Sequence, residues 1–243
     1  MQTWGLSDAG KIREQNQDSY SITKLSREQL LIVVCDGMGG ARSGNIASSM
    51  ASEVFIGEVK RSVRSNMRQE QIDTMLKSAV LLANQAVFEQ SQLSEEYKGM
   101  GTTIVAAFIQ KDAVTVVNVG DSRAYFCNDE GISGITKDHS LVEMMVERGE
   151  LSREEAKFHP GKNLITRAVG TEEEVECDLY HQKLQKGDNL LLCSDGLSNV
   201  MSDQEILFEV VHGVNKADCC QRLMGIANHR GSPDNVTVVL VAY

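Results

Sequence analysis

Five short stretches of the chain are solidly apolar: residues 30–35, 102–109, 113–119, 190–193 and 236–242. A strand with one wet face alternates apolar and polar side chains, so unbroken runs of this length predict strands covered on both faces. The runs 102–109 and 113–119 and the stretch 123–128 follow one another with only short turns between them. Such connections permit antiparallel pairing and leave no room for a helical crossover. Between the first and second strand groups the apolar period becomes helical. Residues 44–63 carry Ile46, Ala47, Met50, Ala51, Val54 and Phe55 on one stripe. Ile72, Met75, Leu76, Ala79, Val80, Ala83, Ala86 and Val87 then sustain i, i+3, i+4 spacing for several turns. Ser202 with Glu205 has the capping-box pattern and opens a helix toward Val211, and a further helix is predicted over 217–228. Buried antiparallel strands with helices grouped between them predict a layered α+β fold, with sheet packed on sheet and helices outside.

No repeat, low-complexity tract or Pro/Gly/Ser-rich linker divides the 243 residues, so one domain over 1–243 is expected. The 24 Lys and Arg against 34 Asp and Glu leave a net charge of −10. That sign excludes a general nucleic-acid binder, which needs a basic footprint. The six cysteines show no CxxC pair and no zinc-ligand spacing. Most sit inside apolar runs, the usage of small buried hydrophobes in a reducing compartment. Neither a basic-then-apolar leader nor a run near 20 apolar residues is present, so the expected setting is cytoplasmic, without a membrane.

The chemistry lies in where the aspartates fall. Asp36 ends the run 30–35 and precedes Gly37, and Asp195 follows the run 190–193 and precedes Gly196. Asp121 follows Gly120 after the run 113–119, Asp234 stands just before the run 236–242, and Asp18 precedes the stretch 20–23. A single Asp-Gly pair is an ordinary turn. Several carboxylates at the ends of buried strands can converge, and converging carboxylates repel unless a cation neutralises them. Oxygen donors without His or Cys point to a hard cation such as Mg²⁺ or Mn²⁺. From placement alone, a metal cluster and a set of unrelated turns both stay open. Gly37-Met38-Gly39-Gly40 lacks the Lys-Ser/Thr ending of a Walker A loop, so it reads as a tight corner or a close approach of backbone to an ion.

Taken in order, these segments resemble the PPM (type 2C) metal-dependent protein serine/threonine phosphatases of bacterial type. The resemblance is carried by residues 13–18 (REQNQD), 35–40 (CDGMGG), 101–103 (GTT), 119–124 (VGDSRA), 159–170, 194–197 (SDGL) and 234–237 (DNVT). It implies a four-layer sandwich of two antiparallel sheets flanked by helices, with a flap at about 138–170. It also implies a site for two Mn²⁺ or Mg²⁺ ions between the sheets, activating a water for attack on a phosphate monoester. On these residues Asp36 bridges both ions, Asp195 and Asp234 hold the first, and the Gly37 carbonyl holds the second. Asp18 fixes water at the ions, Arg13 pairs with the substrate phosphate, and Asp121 forms with Asp195 a weaker third site. The implied partners are phosphorylated proteins, notably a cognate Ser/Thr kinase and its substrates, with the phosphatase itself a monomer.

The sequence departs from the family at several positions. Gln17 stands where many eukaryotic members carry a glutamate toward the second ion, Met38 replaces a histidine proposed as general acid, and Asn199 replaces an aspartate near the third site. His159 is a candidate proton donor against a structural reading. Two other functions compete: a regulatory binding module without catalysis, and a phosphatase dedicated to one regulatory protein such as an anti-sigma-factor antagonist. The intact set Arg13, Asp18, Asp36, Asp195 and Asp234 argues against the first, and a panel of phosphopeptides separates the second.

Overall fold

The computed structural model describes residues 1–39, 43–213 and 215–243; Gly40, the last residue of the 35–40 motif, lies outside them. The apolar run 30–35 is the middle of β3 (Gln29–Met38), which pairs antiparallel with β2 (Asp18–Lys24) and with β5 (Ile104–Gln110). With β6 (Ala113–Val119) and β9 (Asp178–Lys183) these form one sheet in the order β2-β3-β5-β6-β9, and β4 (Gly101–Thr102) pairs with the end of β3. The second sheet runs β1 (Gln2–Asp8), β11 (Val236–Ala242), β10 (Asn189–Cys193), β7 (Arg123–Asn128) and β8 (Gly131–Gly134). Its neighbouring strands are also antiparallel throughout.

Every second side chain of β3 serves a different layer. Leu31, Val33 and Cys35 pack with Ala47, Ala51 and Phe55 of α1 (Gly44–Ser62) and with Leu76, Ala79 and Val80 of α2 (Gln69–Ser91). Leu30, Ile32 and Val34 meet Leu190, Leu192, Val239 and Val241 of the opposing sheet. The outer face of that sheet, with Leu191, Cys193, Val238 and Leu240, is closed by Ile206 of α6 (Asp203–Leu207) and Leu223 and Ala227 of α7 (Cys219–His229). The result is helix, sheet, sheet, helix, which is why the strand sequences are apolar without alternation.

Three elements differ from the sequence pattern. The run 102–109 is interrupted at Thr103, whose N–H donates to the Asp36 carbonyl at 2.8 Å. The capping box at Ser202 forms, yet the helix it opens passes after five residues into a π-helical turn over Phe208–His212. The last helix is preceded by a 3₁₀ turn at Lys216–Asp218. Residues 138–170 form an excursion with α3 (Leu141–Glu147) and α4 (Arg153–Ala156), neither burying a residue; its base is closed by a bridge between Ser140 and Ile165. Among the described residues no helix is long and apolar enough to cross a membrane.

Candidate metal centre

The register of β2 against β3 sets Asp18 opposite Asp36. On the other sheet Asp195 opens α5 (Asp195–Ser198) just past β10, and Asp234 lies just before β11, the neighbour of β10. The aspartates therefore gather where the ends of the two sheets meet. Gly196 makes the approach possible, because a Cβ there would stand 2.0 Å from the Asn235 carbonyl oxygen. Asn235 is the other tie. Its amide donates to the carbonyls of Ala9 and Gln15, both at 2.9 Å, and its Oδ1 accepts the Gln17 N–H at 2.8 Å, so the loop bearing Arg13 is bound to the Asp234 segment.

Hydroxyls orient the Asp18 carboxylate. Thr237 and Ser194 both donate to its Oδ2, at 2.6 and 2.8 Å, and Ser7 lies 2.7 Å from the Thr237 hydroxyl. Because the Thr237 hydrogen is spent on Asp18, Ser7 is the donor in that pair. Asp18 Oδ1 is left buried without a hydrogen-bond partner, as is Asp195 Oδ1, while Asp195 Oδ2 accepts from Asn199 at 2.9 Å. Thr103 secures Asp36 through the main chain, its hydroxyl accepting the Asp36 N–H at 2.9 Å. Gly37 pairs with Thr102, and its N–H donates to the Gln17 carbonyl.

Burial dominates the electrostatics. It pushes Asp18 up to about 7 against the Thr237 and Ser194 hydrogen bonds, with repulsion from Asp195 and Asp234 adding to the rise. Asp36 is driven well above the carboxylate range by burial and then by Asp18, Asp195, Asp121 and Asp234. Asp121 rises to about 8 through burial, Asp195 and Asp138, and Asp195 to about 6 through burial and Asp234. Cys35 is also pushed up by burial, then by Asp18 and Asp36, which removes it as a nucleophile.

A crowd of buried oxygen donors with two orphaned carboxylate oxygens and raised proton affinities has the chemistry of a hard-cation site. Among the described residues, however, no three His, Cys, Asp or Glu side chains stand arranged to hold one ion. Asp234 is turned instead toward Arg13, whose Nη2 donates to its Oδ2 at 2.7 Å while Nε donates to the Pro233 carbonyl. This pairing spans 221 positions and has no local signal in the chain. His159 lies in the excursion, its Nδ1 accepting the Gly161 N–H, and none of its hydrogen bonds reaches the aspartates. Sequence reasoning assigned no role to Ser194, Thr237, Asn235 or Thr103. Their signal was membership of the segments SDGL and DNVT, which carry Asp195 and Asp234, and of the segment GTT.

Comparison with known proteins places this geometry in a family. The serine/threonine phosphatase stp of Listeria monocytogenes serotype 4b is 37% identical over 238 residues, covering 97% of this chain and 93% of its own. Protein phosphatase PhpP of Streptococcus pneumoniae is 37% identical over 239 residues, covering 98% and 95%. The crystal structure of serine/threonine phosphatase Stp1 from Staphylococcus aureus superposes with a TM-score of 0.93 at 37% identity, over 99% of this chain and 94% of that one. The Mycobacterium tuberculosis phosphatase PstP/Ppp gives a TM-score of 0.86 at 34% identity, over 100% and 99%. The family model for protein phosphatase 2C matches residues 11–223. With its two-sheet fold and its aspartates at the strand ends, the chain belongs to the protein phosphatase 2C family.

Proposed function

We propose that this protein hydrolyses phosphoserine and phosphothreonine monoesters in proteins, using divalent Mn²⁺ or Mg²⁺. The observation that carries the reading is the convergence of Asp18, Asp36, Asp195 and Asp234 from two sheets into a half-buried cluster whose carboxyls raise one another's proton affinity. Asp36, Asp195 and Asp234 with the Gly37 carbonyl would hold two ions, and Asp121 with Asp195 a weaker third. Bound ions would compensate the carboxylates and lower the pKa of an attacking water. Asp18, held at Oδ2 by Thr237 and Ser194, has its Oδ1 without a partner and would orient that water. Arg13 stands at the rim with Nη1 unengaged among the described residues, where a guanidinium fork suits the phosphate oxygens.

The natural substrates in this reading are phosphorylated proteins of a bacterial cytoplasm, including an opposing Ser/Thr kinase, with the phosphatase acting as a monomer. The test is hydrolysis of a phosphothreonine peptide and p-nitrophenyl phosphate after chelation, with Mn²⁺, Mg²⁺ or Ca²⁺ returned and Asp36→Asn run alongside. Activity restored by Mn²⁺ and absent in the variant supports the reading. A folded wild-type protein inactive with every ion refutes it.

A further inference from the structure

His139 is a buried histidine at the root of the 138–170 excursion, 7% exposed, and all of its polar groups are engaged. Its N–H donates to the Gly120 carbonyl at 2.9 Å, and its carbonyl accepts the Thr166 N–H at 2.7 Å. Its ring Nδ1 accepts the Gly120 N–H at 3.1 Å. An acceptor nitrogen carries no hydrogen, so the ring proton sits on Nε2, where it donates to Asp178 Oδ2 at 3.0 Å. Arg167, at the other end of the excursion, reaches Asp178 Oδ1 at 3.4 Å. The main chain of His139 thus ties both ends of the excursion to the turn that carries Asp121, and its ring adds a bond to the Gly120 N–H and, through Asp178, a link to Arg167.

That turn leads on into the centre. Gly120 has φ +109°, and a Cβ on it would lie 2.5 Å from Thr103 Cγ2. The hydroxyl of Ser122 is 2.7 Å from that of Thr103, which accepts the Asp36 N–H. A displacement of Gly120 is therefore transmitted to Asp121 directly and to Asp36 through two hydroxyls.

We propose that His139 is a positioning residue: it locks the base of the excursion to the Gly120–Asp121 turn and so fixes Asp121 and the backbone of Asp36. The lock is a matter of the fold; its effect on turnover rests on the phosphatase reading above. Two near-isosteric variants separate the lock from mere packing. In His139→Asn the amide oxygen branches from Cγ as Nδ1 does and can accept from Gly120, while the Asp178 contact is lost. In His139→Gln the longer amide reaches toward Asp178 and leaves the Gly120 N–H unpaired.

The experiment measures Gly120 amide exchange, thermal stability, and kcat and KM on a phosphothreonine peptide with Mn²⁺. His139→Asn is expected to keep Gly120 exchange and kcat within about twofold of wild type. His139→Gln is expected to accelerate Gly120 exchange about fivefold, the factor belonging to one hydrogen bond, and to lower kcat by about tenfold. Equal exchange and turnover in the two variants, or faster exchange in His139→Gln with unchanged kcat, overturns the proposal. Should wild type not turn over the peptide, the phosphatase reading falls and Gly120 exchange alone decides the lock. Should His139→Gln not fold, ¹⁵N shifts of the wild-type ring decide it: a protonated Nε2 with a bare Nδ1 upholds the arrangement, and the opposite tautomer overturns it.

Discussion

Stripping divalent ions leaves the protein with carboxyls that bind protons more tightly folded than unfolded. Asp18 stands at about 7, Asp121 at about 8 and Asp195 at about 6, all from 3.8. A raised group favours the folded state below its unfolded value and loses that advantage as pH climbs through its folded value. For Asp18 alone a rise of about three units, at 1.36 kcal/mol each, is worth about 4 kcal/mol. Most of that loss falls between pH 5 and pH 7. The three groups interact, so their losses do not sum, and about 4 kcal/mol is the scale for the cluster. Over a third of that is already lost between the unfolded value and pH 5, leaving roughly 3 kcal/mol across pH 5–8. At about 2–4 °C per kcal/mol for a chain of this size, chelated protein should melt at least about 5 °C lower at pH 8 than at pH 5. Asp36, raised by burial and the same neighbours, acts in the same direction. Glu205, held at about 2 chiefly by Arg230, is ionised in the folded state across this window and largely ionised in the unfolded state, so it adds little to the slope. The assay is thermal denaturation by circular dichroism on chelator-treated protein from pH 5 to pH 8, with Asp18→Asn and Asp121→Asn beside wild type. Each variant should melt higher than wild type at pH 8 and show a shallower pH slope, and Mn²⁺ should flatten the wild-type slope. Stripped wild type equally stable at the two pH values, or variants less stable than wild type at pH 8, would refute the electrostatic account.

Removing the Thr237 hydroxyl in Thr237→Val takes a hydrogen bond from the Asp18 carboxylate, a loss of about 1.5–3 kcal/mol. Mn²⁺ affinity by calorimetry should fall tenfold or more, with Thr237→Ser close to wild type. Gly196→Ala drives a methyl into the Asn235 carbonyl, and overpacking of that kind costs about 1–3 kcal/mol; a melting temperature within 1 °C of wild type would contradict it. Arg13→Ala breaks an ion pair whose arginine side chain is 54% exposed, so stability should move by less than about 1 kcal/mol. Its kcat/KM on a phosphopeptide should nonetheless fall by about tenfold or more, as expected for a charge-assisted phosphate contact.

The fold was legible wherever burial on both faces wrote an unbroken apolar run, as in β3, β6, β10 and β11. It was less legible where hydrogen bonding overrode the pattern. Thr103 reads as one more strand residue until its N–H and hydroxyl are seen to serve Asp36. The passage from α helix to π-helical turn at Phe208 has no counterpart in the capping box that starts the helix. The aspartates could be picked out because each sits at a strand end, and antiparallel sheets stack their ends. The ties between distant segments could not be read locally: Asn235 to Gln15, Arg13 to Asp234, and His139 to Gly120. Each depends on a register that only the assembled sheets define.

One pairing has consequences for how the molecule is made. Among the described residues β1 pairs in its sheet with β11 alone, Gln2 opposite Ala242, and β11 is also the strand that joins β1 to β10. At roughly 5–20 residues per second of synthesis, β1 waits on the order of tens of seconds for that partner. Its residues are only half buried in the finished sheet, and Gln2 and Asp8 stay exposed at its ends. A segment so mildly apolar can wait beside the ribosome with little tendency to recruit another chain. Asp234 arrives in the same late stretch as β11, so a nascent chain holds an incomplete set of the clustered aspartates until the sheet closes. Translation order thereby delays the aspartate cluster until the molecule that carries it is assembled.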